Sequence, residues 1–239
     1  MNIKPYNTDK TKKEEVAEMF DNISPKYDFL NRFLSMGIDI SWRKKTVKKV
    51  KESGAKYVLD AATGTGDLAI MMAQNGIPRI VGTDISKGML EVGKIKVAKA
   101  GLQESVSLQI ADGENLPFPE NSFDAITIAF GIRNFENVEK GLESFYKVLK
   151  PGAHLYILEF SKPDTFPVKQ AYHFYFTYIL PLWGKMVSKD AKAYTYLPES
   201  VKAFPDGKAF LDLMQKAGFK ECTQSKLSFG ISSIYQAKK

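Results

Sequence analysis

The chain has 239 residues, 44% of them hydrophobic and 26% charged, which suits one sizeable α/β domain and excludes a disordered chain. No run reaches the roughly 18 uninterrupted apolar residues of a membrane-spanning helix, and the opening "MNIKPYNTDKTKKEE" lacks the apolar stretch of a secretory leader. One cysteine, Cys222, excludes an intrachain disulfide; with only His154 and His173 beside it, no metal is expected, and the chain reads as cytoplasmic. The net charge of +7 admits nucleic acid, an anionic membrane surface or simply a solvated lysine-rich exterior; without an RNA-recognition motif or zinc-finger spacing, no nucleic-acid partner is expected.

Thr11-Lys-Lys-Glu14 has the form of a capping box, and Val16, Met19, Phe20 and Ile23 fall on one helical face. Residues 25–42 read as loop and short helix, and "WRKKTVKKVKE" (42–52) as an exposed helix face, giving an N-terminal helical segment over 11–52. From residue 57 strands and helices alternate, with strands expected at 57–60, 79–84, 106–110, 124–130, 154–160, 219–226 and 230–237. Helices are expected near 67–75, 86–100, 136–149 and 206–217, the third stopped by Pro151 and Gly152, the fourth capped by Asp206. Alternation predicts a mostly parallel sheet covered on both faces. The three-residue link "SFG" predicts that the last two strands form an antiparallel hairpin. A seven-stranded α/β sheet finished in this way is the Rossmann-like class I fold of S-adenosylmethionine-dependent methyltransferases; dehydrogenase nucleotide domains lack the final antiparallel strand. The chain is read as a single domain, 1–239. Residues 161–205 interrupt the alternation with "QAYHFYFTYILPLWGKM", which is read as a buried helix, a lid over a hydrophobic substrate or a patch that touches lipid.

In an open α/β sheet, ligands sit beyond the carboxyl ends of the strands where strand order reverses. The loop there is "VLDAATGTGDLA", residues 58–69. Gly64, Gly66 and Ala69 form a G-x-G-x-x-A that also allows a dinucleotide and a nicotinamide-dependent oxidoreductase. Asp60 argues otherwise, because a carboxylate there repels a pyrophosphate and suits a sulfonium ligand with a cationic amino-acid end. Thr65 and the N–H groups around Gly66 are placed to receive that ligand's carboxylate. Asp84 ends the second strand, where an acidic residue meets a ribose; the alternative is that Asp84 or Ser86 only caps the next helix. Asp112 is a candidate acceptor for an adenine amino group, with Gly113 leaving room for the ring.

The series "DAATGTGD", "GTDIS", "ADGENLPFPENSFD", "FGIRNF" and "VLKPGAHLYILEFSKP", with "YDFLNRFLSMGIDISW" near the N-terminus, resembles the C-methyltransferases of menaquinone and ubiquinone biosynthesis. The resemblance runs from about residue 19 to the C-terminus. It implies S-adenosylmethionine as cofactor and a polyprenylated quinol as substrate, demethylmenaquinol first and the benzoquinol precursor of ubiquinone second. Methylation of RNA or another small molecule, and a non-enzymatic protein on the same scaffold, are the rivals. Thr65, Asp84, Asp112 and Gly113 match family positions that contact the cofactor. Asp39 stands where the family's signature usually has a histidine, and Ala129 where some relatives have serine. Arg133 and Asn134 match residues that face the substrate. Arg133 is expected to stabilise the quinol oxyanion, with a water as base, and Asn134 to position the ring. Tyr27 and Asp28 are expected to close over the cofactor, Tyr27 also on the substrate side. The aromatic segment 170–187 is the candidate contact for the prenyl tail. A peripheral contact at the inner face of the membrane is expected, and the oligomeric state is left open, a homodimer among the options.

Overall fold

The computed structural model describes residues 3–175, 178 and 191–239. Part of the aromatic segment 170–187, and with it the middle of the expected lid 161–205, lies outside the described residues.

The capping box forms: Thr11 accepts from Glu14 N, the Glu14 carboxylate accepts from Thr11 N, and α1 runs Lys12–Ile23. A 3-10 turn leads into α2 (Tyr27–Leu34), followed by α3 (Ile38–Glu52). The face of α3 is less exposed than its lysines suggest, because Trp42, Arg43, Thr46, Val47 and Val50 are all buried. A run of five lysines hides that stripe from a reading by composition.

The strands are β1 (Tyr57–Ala61), β2 (Arg79–Asp84), β3 (Val106–Ile110), β4 (Phe123–Ala129), β5 (Leu149–Phe160), β6 (Lys220–Leu227) and β7 (Ser232–Lys238). They form one sheet in the order β3-β2-β1-β4-β5-β7-β6. β1 to β5 pair in parallel, whereas β7 inserts antiparallel between β5 and β6. The expected terminal hairpin is therefore present, joined by a 3-10 turn at Ser228–Gly230. The helices between are α4 (Asp67–Gln74), α5 (Lys87–Lys99), α6 (Val138–Val148), α7 (Val168–Phe174), α8 (Ala191–Ala203) and α9 (Lys208–Lys216). On one sheet face α3, α4 and α5 bury Val47, Val50, Leu68, Met72 and Val97 against Val58, Ile80 and Val106. On the other, Leu142 and Phe145 of α6 and Phe210 and Met214 of α9 pack on Leu59, Ile126, Leu155 and Tyr235.

Two expectations fail locally. β5 begins at Leu149, not 154, because Leu149 pairs with Phe123 before a register shift lets the chain pass Pro151 and Gly152 as an irregular edge. Asp206 does not cap α9: its Oδ2 accepts from Lys162 N at 2.9 Å, and Gly207 holds the cap position without a side-chain bond. Among the described residues no helix is long and apolar enough to cross a membrane, and no cluster of His, Cys, Asp and Glu has a metal-holding arrangement.

Candidate active site

Strand order reverses between β1 and β4, and the glycine turn lies at that point. Gly64 and Gly66 have φ of 59° and 79°, left-handed values that glycine adopts without a Cβ penalty. Asp60, 1% exposed, supports the turn from below. It accepts from Thr63 Oγ1 at 2.6 Å and from Thr127 Oγ1 at 2.7 Å. Burial pushes its carboxyl up to about 6, against the pull of the two hydroxyls. Asp84 accepts from Gly64 N at 2.8 Å and Ser86 N at 2.9 Å, while Ser86 caps α5 through Met89 N. Ser86 is therefore the cap, and Asp84 lines the cleft. Burial raises the Asp84 carboxyl, and the backbone N–H groups oppose that rise.

A narrow cavity of about 60 Å³ lies over these strand ends. Tyr27, Gly64, Asp84, Asp112, Gly113 and Asn134 line it, and Lys13, Val16 and Phe20 of α1 form its outer wall. Lys13 Nζ sits 2.5 Å from Asp112 Oδ2. Asn134 Oδ1 is buried with no partner among the described residues. Asp60, Thr65 and Gly66 are not in this lining. Asp60 is turned to its threonines beneath the sheet's edge. Thr65 donates to Asp28 Oδ1 at 2.6 Å and accepts from Lys96 Nζ at 3.0 Å, so its hydroxyl faces α2 and α5. Gly66 has Leu108 and Ile70 beside it. Asp28 likewise does not line the cavity; with Lys96 and Asp67 it ties α2 to the glycine turn.

A second cavity, of about 350 Å³, opens beside the first and shares Tyr27 and Phe130 with it. Trp42, Phe130, Phe160, Tyr172 and Ile231 give it apolar walls, into which Asp39, Arg43 and Arg133 intrude. Arg133 pairs with Glu159 at 2.7 Å, the two side chains 8% and 0% exposed. Its Nη1 also donates to Phe130 O at 2.5 Å. Burial raises the Glu159 carboxyl, and the guanidinium opposes the rise. Arg43 and Arg133 each lie 5.4 Å from the centroid of a phenylalanine ring, Phe130 and Phe160 respectively, and those rings are 4.7 Å apart. Lys12 donates to Arg133 O and Phe135 O, holding the loop after β4; burial lowers its ammonium to about 8.

The structure thus gathers Tyr27, Gly64, Asp84, Asp112, Gly113 and Asn134 around one cavity and Tyr27 and Arg133 around the other. Reasoning from sequence missed Lys13, Arg43, Lys96 and Glu159. The signal for Glu159 was a lone acid inside the apolar run "YILEF", which a buried strand tolerates only with a partner.

The sheet order and a cleft at β1 and β4 define the class I methyltransferase fold. A solved S-adenosylmethionine-dependent methyltransferase from Aquifex aeolicus superimposes with a TM-score of 0.58 at 21% identity, covering 80% of this chain and 88% of that one. The chain belongs to the ubiE/COQ5 methyltransferase family, whose model matches residues 8–239. It is 49% identical over 238 residues to the demethylmenaquinone methyltransferase of Bacteroides fragilis, covering 99% of this chain and 97% of the relative. It is 47% identical over 230 residues to the ubiquinone/menaquinone biosynthesis C-methyltransferase UbiE of Geotalea daltonii, covering 95% and 97%.

Proposed function

We propose that the chain transfers a methyl group from S-adenosylmethionine to a ring carbon of a reduced polyprenylated quinol, with demethylmenaquinol ahead of the benzoquinol precursor of ubiquinone. The observation that carries this reading is the junction of two unlike cavities at Tyr27 and Phe130, one walled by glycines and strand-end acids, the other apolar.

The residues of the first cavity suit the cofactor. Asp84 and Asp112 offer acceptors for ribose hydroxyls and an adenine amino group, and the unpartnered Asn134 Oδ1 is one more buried acceptor. Gly64 and Gly66 keep the turn clear of side chains, while Asp60 and Thr65 act from behind it by fixing its shape. The cofactor supplies an electrophilic methyl on a sulfonium. Lys13 of α1, paired with Asp112, and Tyr27 of α2 also line this narrow cavity.

In the second cavity Arg133 places a fixed cation where a quinol oxygen becomes an anion, and Glu159 sets the direction of that guanidinium. Asn134, expected to position the ring, lines the first cavity and not the second, so its acceptor belongs to the cofactor side. The apolar walls take the ring and the start of the prenyl tail, each buried CH₂ contributing roughly 0.8 kcal/mol. Met36, Phe166 and Phe229 are 78%, 82% and 79% exposed. They sit on three loops whose neighbours Ile38, Val168 and Ile231 line the cavity. An apolar rim of this kind, on a chain of net charge +7, fits peripheral docking on an anionic bilayer from which the substrate enters.

The test is methyl transfer from labelled S-adenosylmethionine, offered reduced short-chain demethylmenaquinol and the benzoquinol precursor side by side. Label in the naphthoquinol is expected. Label in neither, from protein that binds the cofactor, overturns the substrate reading and leaves the fold assignment standing.

A further inference from the structure

Asp39 opens the first turn of α3, is 5% exposed and lines the apolar cavity. A quinol carbon becomes a competent nucleophile when the hydroxyl beside it gives up its proton, so the reaction needs a proton acceptor within reach. Few side chains in the cavity can serve. Arg43 and Arg133 present guanidinium groups, which donate hydrogen bonds and offer no acceptor. Burial raises the phenols of Tyr27, Tyr172 and Tyr175, so these hold their protons at neutral pH. Glu159 is outside the lining, and its Oε1 already accepts from Arg133 Nη1 and Phe160 N. Among the described lining residues there is no histidine, cysteine or lysine, and Asp39 is the one carboxylate.

Its setting suits the task. Asp39 Oδ1 accepts from Ser35 Oγ at 2.7 Å, and Oδ2 stands 3.5 Å from Arg43 Nε. Each oxygen keeps acceptor capacity beyond these contacts. Ser35 and Arg43 line the same cavity, so the carboxylate is held by the wall in which it stands. Arg43 in turn lies against Phe130, the ring shared by the two cavities.

Resting on the quinol reading above, we propose that Asp39 is the catalytic base, accepting the proton of the quinol hydroxyl next to the carbon that is methylated. The O–H bond breaks and its proton passes to the Asp39 carboxylate, while Arg133 faces the developing oxyanion. The ring carbon bonds to the methyl group as the S–CH₃ bond breaks, its electron pair remaining on sulfur. The same carbon then loses its hydrogen as a proton to solvent, and the ring oxygen recovers a proton from Asp39. One proton is released overall, and no oxidant or reductant is needed.

Asp39→Asn preserves the shape of the side chain and is expected to slow single-turnover methylation of reduced demethylmenaquinol by roughly 100-fold or more, with cofactor affinity unchanged. In Asp39→Gly, added formate is expected to restore part of the rate in proportion to its concentration, which a residue with only a structural role does not allow. A binding measurement without cofactor is independent of turnover. Wild-type protein should prefer 1,4-naphthohydroquinone over its dimethyl ether by roughly tenfold, through a charge-assisted hydrogen bond. Asp39→Leu should abolish that preference. Wild-type turnover in Asp39→Asn overturns the proposal. So does an Asp39→Gly protein that is slow, indifferent to formate and unchanged in its hydroquinone preference. If the wild-type protein leaves the reduced quinol unmethylated, the quinol reading fails first and takes Asp39's role with it. A wild type that is active beside an unimpaired Asp39→Asn removes only the base.

Discussion

Asp60 should weaken the fold it helps to shape. It is 1% exposed at the end of β1, and burial lifts its carboxyl from 3.8 to about 6, although Thr127 and Thr63 both donate to it. A carboxyl with a raised folded pKa keeps its proton in the folded chain where the unfolded chain has lost it. Stability from this group is therefore lost as pH rises from about 4 to about 6, and the full deficit persists above. At about 1.36 kcal/mol per pKa unit, the rise corresponds to roughly 3 kcal/mol. Asparagine has the same outline and no charge. Its oxygen accepts from Thr127 while its amide donates to Thr63 Oγ1, so both bonds survive with one hydroxyl reversed. Asp60→Asn is expected to be roughly 3 kcal/mol more stable than wild type at about pH 8 and nearly equal to it at about pH 4. Urea unfolding of the two cofactor-free proteins across this range measures the difference, in which the other titrating groups cancel. A gap that stays constant with pH, or a variant less stable at pH 8, refutes the reasoning.

Glu159→Ala leaves the Arg133 guanidinium buried and unpaired, and a loss of about 3–5 kcal/mol is expected, less for Glu159→Gln, which keeps an acceptor. A double-mutant cycle with Arg133→Ala should be strongly non-additive; additive losses in urea unfolding would mean that the pair is not coupled. In Gly113→Ala the new Cβ would stand 2.5 Å from the Phe135 ring. Overpacking of about 1–3 kcal/mol is expected, relieved by adding Phe135→Leu; a wild-type urea midpoint for the single variant contradicts this. Phe229 is exposed at φ 59°, a left-handed value unfavourable for a bulky side chain. Phe229→Gly should gain up to about 1 kcal/mol in stability while losing cosedimentation with anionic vesicles; unchanged cosedimentation would detach this turn from membrane docking.

What could be read from the sequence follows from how local its cause is. The strands were legible because β1, β2 and β4 are short apolar runs between turn residues, buried almost throughout. Asp84, Asp112 and Gly113 could be placed because topology sends every parallel strand end to one edge. The start of β5 was hidden by Pro151 and Gly152, which stop helix α6 but do not prevent the strand from resuming along an irregular register. Asp206 satisfies every local rule for a helix cap, yet its partner is Lys162, distant in sequence. Thr65 was assigned to the ligand from its place in the turn. Its hydroxyl is turned away by Asp28 and Lys96, which arrive from α2 and α5.

The two cavities differ in the same respect, and the difference bears on selectivity. The first is built from a turn and strand ends that any sheet of this order supplies. The second is assembled from Asp39 and Arg43 in α3, Phe130 and Arg133 after β4, Phe160 of β5, Tyr172 of α7 and Ile231 before β7. Its apolar walls discriminate weakly, since one methylene more or less is worth only about 1–3 kcal/mol. Selection therefore falls to the charged groups, and these are closed into two pairs, Arg43 with Asp39 and Arg133 with Glu159. Each guanidinium already has a carboxylate partner, Asp39 in the lining and Glu159 outside it, so a carboxylated ring finds no unpaired cation in these two pairs and its desolvation goes uncompensated. On the proposed reaction a neutral quinol enters without that penalty and becomes anionic only as it reacts, beside Arg133 and Asp39 of the cavity lining. The site thus favours a substrate that has shed its acidic groups before it arrives, and that leaves the ring hydroxyls as the chemistry's only handle.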